Sequence, residues 1–329
     1  MLRQSIVLTV TLGLLLFWVP AQSGSAEMGK EDGAVVEDEA REASEDGAIV
    51  LTVEVEGENV EMKLSDYLVG VVAAEMPASF ETEALKAQTT AARTYTLYQM
   101  AHGSGEKHSG GADLCDDPLC CQAYLGEERL RENWGAAAEE NLNKIAAAEE
   151  ATDGYVILYG GEPILAVFHS SSAYGTEDAA AAWSASVPYL QRVESPEEEG
   201  DVPNYRSTVR FTAEEFRTLF SGAYPEGKLK GSCEKWIGEM VRDSSGYVLT
   251  LRVGDCTLRG VELRRMLGLR SASFDVEAEK DALTFTTLGY GHGVGMSQYG
   301  ANALAAAGKS WEEILRWYYS GVSIERYSA

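Results

Sequence analysis

The chain has 329 residues and 45% apolar content, enough for one large or two modest domains around a sizeable core. Its 52 acidic and 27 basic residues give a net charge of −25, which excludes nucleic acid as a partner and excludes a basic face for anionic lipid. Residues 1–26 read as an export segment: Arg3 precedes the apolar run Ile6 to Val19, Pro20 breaks it, and Gly24-Ser25-Ala26 offers a cleavage site. The run is short for a span, so a removed signal peptide and a retained single membrane anchor are both open, and either leaves the rest outside the cytoplasm. Residues 27–47 are acidic, poor in large apolar side chains and punctuated by glycine, and read as an unfolded tether. Order is expected from Ala48, with a strand over Ile49 to Glu56, a turn at Gly57-Glu58-Asn59 and a return over Val60 to Leu64.

Two helices joined by a proline turn follow within Leu64 to Tyr98, because apolar residues recur at three- and four-residue spacing on either side of Met76-Pro77-Ala78-Ser79-Phe80. Ser65 offers an N-cap for the first. Glu75 stands in the apolar run Val69, Val71, Val72, Ala73, Ala74, where a carboxylate costs free energy unless it has a partner or a task. At a helix C-terminus the macrodipole also favours its proton, an environment suited to a general acid. Lys86 and Arg93 lie two turns apart on the second helix and are expected to share a face toward a ligand, although either could simply neutralise Glu75.

This stretch resembles the stage II sporulation protein D (SpoIID) family of peptidoglycan-degrading proteins. The resemblance rests on Tyr67-Leu68, Gly70-Val71-Val72, Ala74-Glu75-Met76-Pro77, Glu83-Ala84-Leu85-Lys86-Ala87-Gln88 and Ala91-Ala92-Arg93-Thr94-Tyr95. It implies that Glu75 is the acid/base of a lytic transglycosylase and that Lys86 and Arg93 support the substrate site.

Residues 103–126 form a long Gly- and Asp-rich loop holding His108, Cys115, Cys120 and Cys121. His108, Cys115 and Cys121 make a three-ligand set for zinc, with His102 the weaker histidine. A disulfide from Cys115 to Cys120 or Cys121 is the alternative that an exported chain permits. The family resemblance implies zinc on one His and two Cys just before a pair like Gln122-Ala123, with Cys120 extra to that pattern.

Further on, Trp134 to Thr152 has helical spacing, and Tyr155 to Tyr159 with Ile164 to Phe168 reads as a hairpin about Gly160-Gly161-Glu162-Pro163. His169-Ser170-Ser171-Ser172 at its end matches the family's Phe-His-Ser-hydroxyl motif, which implies that His169 and Ser171 line a glycan cleft. Residues 191–273 read as an inserted subdomain without catalytic motifs. It contains a capping box at Thr212 and Glu215, a hairpin about Asp243 to Gly246, and a possible Cys233–Cys256 disulfide. Gly289 to Ala301 is too glycine-rich for anything but close backbone approach, and lacks the lysine-hydroxyl ending of a phosphate loop. It resembles the family's second motif, which adds His292, Ser297, Gln298 and Tyr299 to the cleft. Ser310 and Glu313 form a capping box for a last helix over Trp311 to Tyr319, ended by Gly321.

The expected architecture is therefore α+β: an anchor or signal (1–26), a tether (27–47), and a core (48–190 and 274–329) interrupted by a smaller subdomain (191–273). The family resemblance implies as substrate peptidoglycan glycan stripped of stem peptides, cut to 1,6-anhydro ends during sporulation, with a wall amidase and membrane engulfment proteins as partners. A non-catalytic wall-binding amidase enhancer and a zinc-dependent wall hydrolase are the alternatives.

Overall fold

The computed structural model describes residues 44–103, 108–183 and 185–327; the signal or anchor and most of the tether lie outside the described residues. Among the described residues no helix is long and apolar enough to cross a membrane. The elements in chain order are β1 (Val50–Val55), β2 (Glu58–Lys63), α1 (Leu64–Glu75), α2 (Thr82–His102), β3 (Leu114–Cys115), α3 (Glu127–Trp134), α4 (Ala138–Glu150), β4 (Tyr155–Tyr159), β5 (Glu162–Pro163) and β6 (Phe168–His169). They continue with α5 (Ala179–Trp183), β7 (Arg206–Thr212), α6 (Ala213–Ala223), β8 (Ile237–Arg242), β9 (Val248–Val253), β10 (Cys256–Arg259), α7 (Gly260–Leu267), β11 (Phe274–Ala278) and β12 (Ala282–Leu288). The chain closes with β13 (Met296–Ser297), α8 (Gln298–Ala306), α9 (Trp311–Tyr318) and β14 (Ser323–Arg326), so the fold is mixed α+β.

Helix α2 is the axis of the larger core, although its sequence is only weakly apolar. Its hydroxyls help make this possible: Thr89, Thr90, Thr94 and Thr96 each donate to the carbonyl four residues earlier, so these four hydroxyls stay satisfied when the helix is enclosed. Thr94 also accepts the amide of Ile157 at 3.0 Å, which fixes β4 against the helix. Around it pack α1, α4, α8 and α9. Helix α1 is nearly all apolar, and Gly70 in its middle admits the ring of Tyr124, which a Cβ there would meet at 2.4 Å. Tyr124 stacks on Tyr67 with ring centroids 5.5 Å apart, so the chain leaving the cysteine loop is laid along α1.

The expected hairpin 155–168 is curtailed. β4 meets β5 only through Leu158↔Pro163 and Tyr159↔Glu162, and its longer partner is β14 at the far end of the chain. Pro163 has no amide to extend the ladder. The following β6 instead pairs in parallel with β13, Met296↔Phe168 and Ser297↔His169, which joins the His169 segment to the glycine-rich segment. The expected helix over Trp134 to Thr152 is realised as α4, and Gly135, at φ 56°, marks the break between it and the preceding α3. Helix α1 begins at Leu64 with Lys63 as cap residue, so Ser65 lies buried in its first turn rather than capping it.

A second, separate apolar cluster gathers Phe216, Phe220, Trp236, Phe274 and Phe285. It extends past the expected boundary at residue 273. β12 pairs along its whole length with β7, and Phe285 packs on both Phe274 and Phe216, so residues 274–288 join this second cluster. The chain rejoins the larger core where Tyr290 bridges to Ser171. The capping box at Thr212 and Glu215 is present, as is the one at Ser310 and Glu313. Cys233 and Cys256 are free thiols rather than a disulfide, the Cys233 sulfur resting on the carbonyl of Glu279 at 2.8 Å.

Candidate active site

Glu75 is the last residue of α1, and its side chain is only partly exposed. Oε1 accepts the backbone amide of Ala123 at 2.9 Å, and Oε2 accepts Nε2 of Gln298 at 3.1 Å. No cation pairs with it among the described residues. Burial raises its pKa above the ordinary carboxylate value, and the two donors oppose that rise. Each oxygen keeps a second lone pair, so the carboxyl can hold or accept a proton while both donors stay in place. The turn that follows is held by Lys144, whose ammonium donates to the carbonyls of Ala78 and Phe80 at 2.8 and 2.6 Å. Phe80 then meets the Tyr299 ring edge-on at 4.9 Å.

The glycine-rich segment arrives from the opposite end of the chain. Ser297 caps α8 by accepting the amide of Gly300, and donates to Glu197 Oε1 at 2.5 Å. Glu197 also accepts the Ser172 amide at 2.6 Å and the Ser195 hydroxyl, so this buried side chain is held by three neutral donors. His169 is buried: Nδ1 donates to the Val294 carbonyl at 3.2 Å and Nε2 accepts from Ser172 Oγ at 2.8 Å. Burial, then the neighbouring His292, holds its pKa well below the imidazole norm, so it is neutral. His292 is likewise pushed down to about 4, by burial and then Arg264, and its ring lies 5.6 Å from both His169 and Trp183. The Ser171 hydroxyl is buried without a partner. Of the residues expected in the cleft, the structure thus places Gln298 on Glu75 and Tyr299 beside the turn that follows it, and links His169, His292 and Ser297 in an adjoining network that Ser171 borders through its backbone bridge to Tyr290.

Lys86 and Arg93 do not share an open face. Arg93 is 0% exposed; it donates to Asp46 Oδ2 at 2.6 Å and to the Tyr155 carbonyl at 3.1 Å. Its task is to neutralise the end of what the sequence reads as tether, since Asp46 also receives a fold contact through Asp153, whose carboxylate takes the amides of Glu45 and Asp46. Lys86 pairs with Glu83 at 2.8 Å, whose other oxygen accepts the Trp311 amide that opens α9. Spacing along α2 had put both cations on one side, whereas the partners decide that one is enclosed and the other committed to a neighbour.

In the cysteine loop the ligand atoms of His108, Cys115, Cys120 and Cys121 all lie within 4.8 Å of one another. His108 Nε2 is 3.5 Å from the Cys120 sulfur and 3.3 Å from that of Cys121, while Nδ1 bonds the Ala112 carbonyl at 3.1 Å. Three thiols, one imidazole and an oriented imidazole back-bond suit tetrahedral zinc. All four residues fit, so Cys120 joins the expected set. His102 stands apart, its ring bonded to the Tyr98 carbonyl, and the cysteines are free thiols rather than a disulfide.

Residues 56–159 match the SpoIID family, described as stage II sporulation protein, a span holding Glu75 and the whole cysteine loop. The stage II sporulation protein D of Bacillus subtilis (strain 168) is 41% identical over 267 residues, covering 81% of this chain and 75% of that protein. The chain belongs to the SpoIID family. The stage II sporulation protein D of Bacillus amyloliquefaciens is 40% identical over 262 residues, 79% of this chain and 74% of that one. The amidase enhancer of Bacillus subtilis (strain 168) is 30% identical, covering 79% of this chain and 40% of its own length.

Three parts of this SpoIID site escape a reading of its sequence. Ala123 contributes only a backbone amide, which no side chain announces. Glu197 hides in the run Glu197-Glu198-Glu199, whose other members are exposed, and only its place after Ser195-Pro196 sets it apart. Lys144 looks like any polar position of an Ala- and Glu-rich helix.

Proposed function

We propose that the protein is a peptidoglycan lytic transglycosylase with Glu75 as its single acid/base. The observation that carries this reading is a half-enclosed carboxyl held by two neutral N–H donors and facing no cation, so that it can keep a proton. In this chemistry the acid protonates the glycosidic oxygen between N-acetylmuramic acid and N-acetylglucosamine. The conjugate base then takes the proton of the muramic 6-hydroxyl as the 1,6-anhydro ring closes, and no water is consumed. A glycosidase that uses water pairs two carboxylates, whereas Glu197, the enclosed carboxylate of the adjoining network, is occupied by three donors. The family's role in sporulation supports wall remodelling outside the cytoplasm during engulfment, with the N-terminal segment as a membrane anchor and a wall amidase supplying stripped glycan.

Zinc held by His108, Cys115, Cys120 and Cys121 would supply a structural cross-link for the loop, because four protein donors complete a tetrahedral shell. The chain's own contribution is then direct: Cys121 is two residues before Ala123, whose amide sits on Glu75. The zinc-hydrolase alternative needs an open coordination position, which a four-donor set does not offer.

A second reading, a wall-binding module that stimulates an amidase, is favoured by the likeness to the amidase enhancer. Incubating the purified chain with stripped glycan and analysing the ends by mass separates the two. Anhydro ends that vanish in Glu75→Gln support the enzyme, and intact glycan from a folded protein that still binds it supports the module.

A further inference from the structure

Arg270 lies between α7 and β11, where the insertion returns to the glycine-rich segment, and its carbonyl accepts the Gly291 amide at 3.0 Å. Its guanidinium carbon stands 3.8 Å from the centroid of the Tyr290 ring. Nε is buried without a hydrogen-bond partner, and no carboxylate pairs with the side chain among the described residues. Arg131, Arg206, Arg210, Arg242 and Arg326, by contrast, each sit on an Asp or Glu. A partly enclosed guanidinium stacked on an aromatic ring has lost hydration without gaining an anion, and its planar fork is matched to a carboxylate. Its position is also telling. Arg270 is close enough to Tyr299 to oppose the burial-driven rise of that phenol, and Tyr299 follows Gln298, the donor to Glu75.

We propose that Arg270, held flat on Tyr290, is the receptor for a carboxylate carried by the polymer that lies along the Glu75 cleft. The inference rests on the glycan reading of the site. In such a polymer the carboxylate has two sources: the lactyl group of muramic acid, free only once the stem peptide is gone, or the stem peptide itself. A guanidinium committed to the lactyl group makes the site prefer stripped strands, because an amide-linked lactyl group carries no charge to meet it.

The test is binding by the whole chain carrying Glu75→Gln, with and without Arg270→Gln or Arg270→Lys. The probes are stripped glycan, the same glycan with its lactyl carboxylates converted to methyl amides, and peptide-bearing glycan. A charge-assisted hydrogen bond corresponds to roughly ten- to hundred-fold in affinity. The Glu75→Gln parent is expected to hold stripped glycan at least about tenfold more tightly than the amidated form. Arg270→Gln brings that ratio near one and Arg270→Lys restores part of it, with circular dichroism matching the parent. If Arg270→Gln weakens only the peptide-bearing probe, the carboxylate is that of the peptide. If all three affinities are unchanged by Arg270→Gln, the inference is overturned. The transglycosylase reading is judged separately, by anhydro ends from the chain with Glu75 intact. Cleavage with an Arg270-independent ratio sinks only the receptor, and an Arg270-dependent ratio without cleavage sinks only the enzyme.

Discussion

Glu75 and Arg93 sit on adjoining helices, each an ionisable side chain drawn into the larger core, and they have opposite fates. Arg93 is sealed against Asp46 at 2.6 Å with Glu149 at 3.9 Å, a charge fully spent on holding the segment around Asp46 to the core. Glu75 meets only neutral N–H donors and keeps an exposed edge. A buried ion with a counterion is architecture, because its protonation is locked by the partner. A carboxyl with neutral donors remains free to exchange its proton, which is the condition for acid/base work.

The comparison is broken most directly by exchanging the roles. Glu75→Gln is expected to lower anhydro-end formation by about 10²- to 10⁴-fold, read by mass analysis of glycan ends, with the melting temperature nearly unchanged. Arg93→Gln is expected to cost ~3–5 kcal/mol in urea unfolding, since it strands Asp46 in the core, and adding Asp46→Asn should recover part of the loss. A stable Arg93→Gln protein that no longer binds glycan would put Arg93 in the site after all. Zinc at about a hundred times its dissociation constant should add ~2.7 kcal/mol to stability. Cys120→Ser should reduce that gain, as measured by metal content and melting with and without chelator.

The next test sharpens the proton argument. Burial raises the Glu75 pKa in the folded chain above its unfolded value, so the fold favours the protonated form. That stabilisation is complete below the usual carboxylate range and is lost as pH climbs through the raised value. The stability of the parent relative to Glu75→Gln should therefore decline over that window, and activity should fall along the same limb. A difference independent of pH would mean that Glu75 titrates like an exposed side chain. Smallest of all, Lys86→Ala should cost under ~1 kcal/mol, since Lys86 is a part-exposed partner of Glu83.

Much of this was legible in the residues, and the parts that were not share a cause. The helix pair, the capping boxes at Thr212 and Ser310 and the exceptional standing of Glu75 follow from local pattern, which the chain carries in consecutive positions. Arg93 misled because spacing tells which face of a helix a side chain takes, and the partner waiting on that face, Asp46, lies 47 positions away. The strand expected to close a hairpin with β4 was drawn instead to Met296 and Ser297, a non-local pairing with no local cue. Ala123 is the extreme case: its contribution is a peptide N–H, identical in every residue but proline.

The two donors on Glu75 come from very different points in synthesis. Ala123 is 48 positions downstream of the carboxyl, and Gln298 is 223. A nascent or clipped chain that stops short of the glycine-rich segment has Glu75 in place but no amide to orient its second oxygen. The full set of donors on this carboxyl is therefore assembled only when Gln298, far along the polypeptide, has been made and docked.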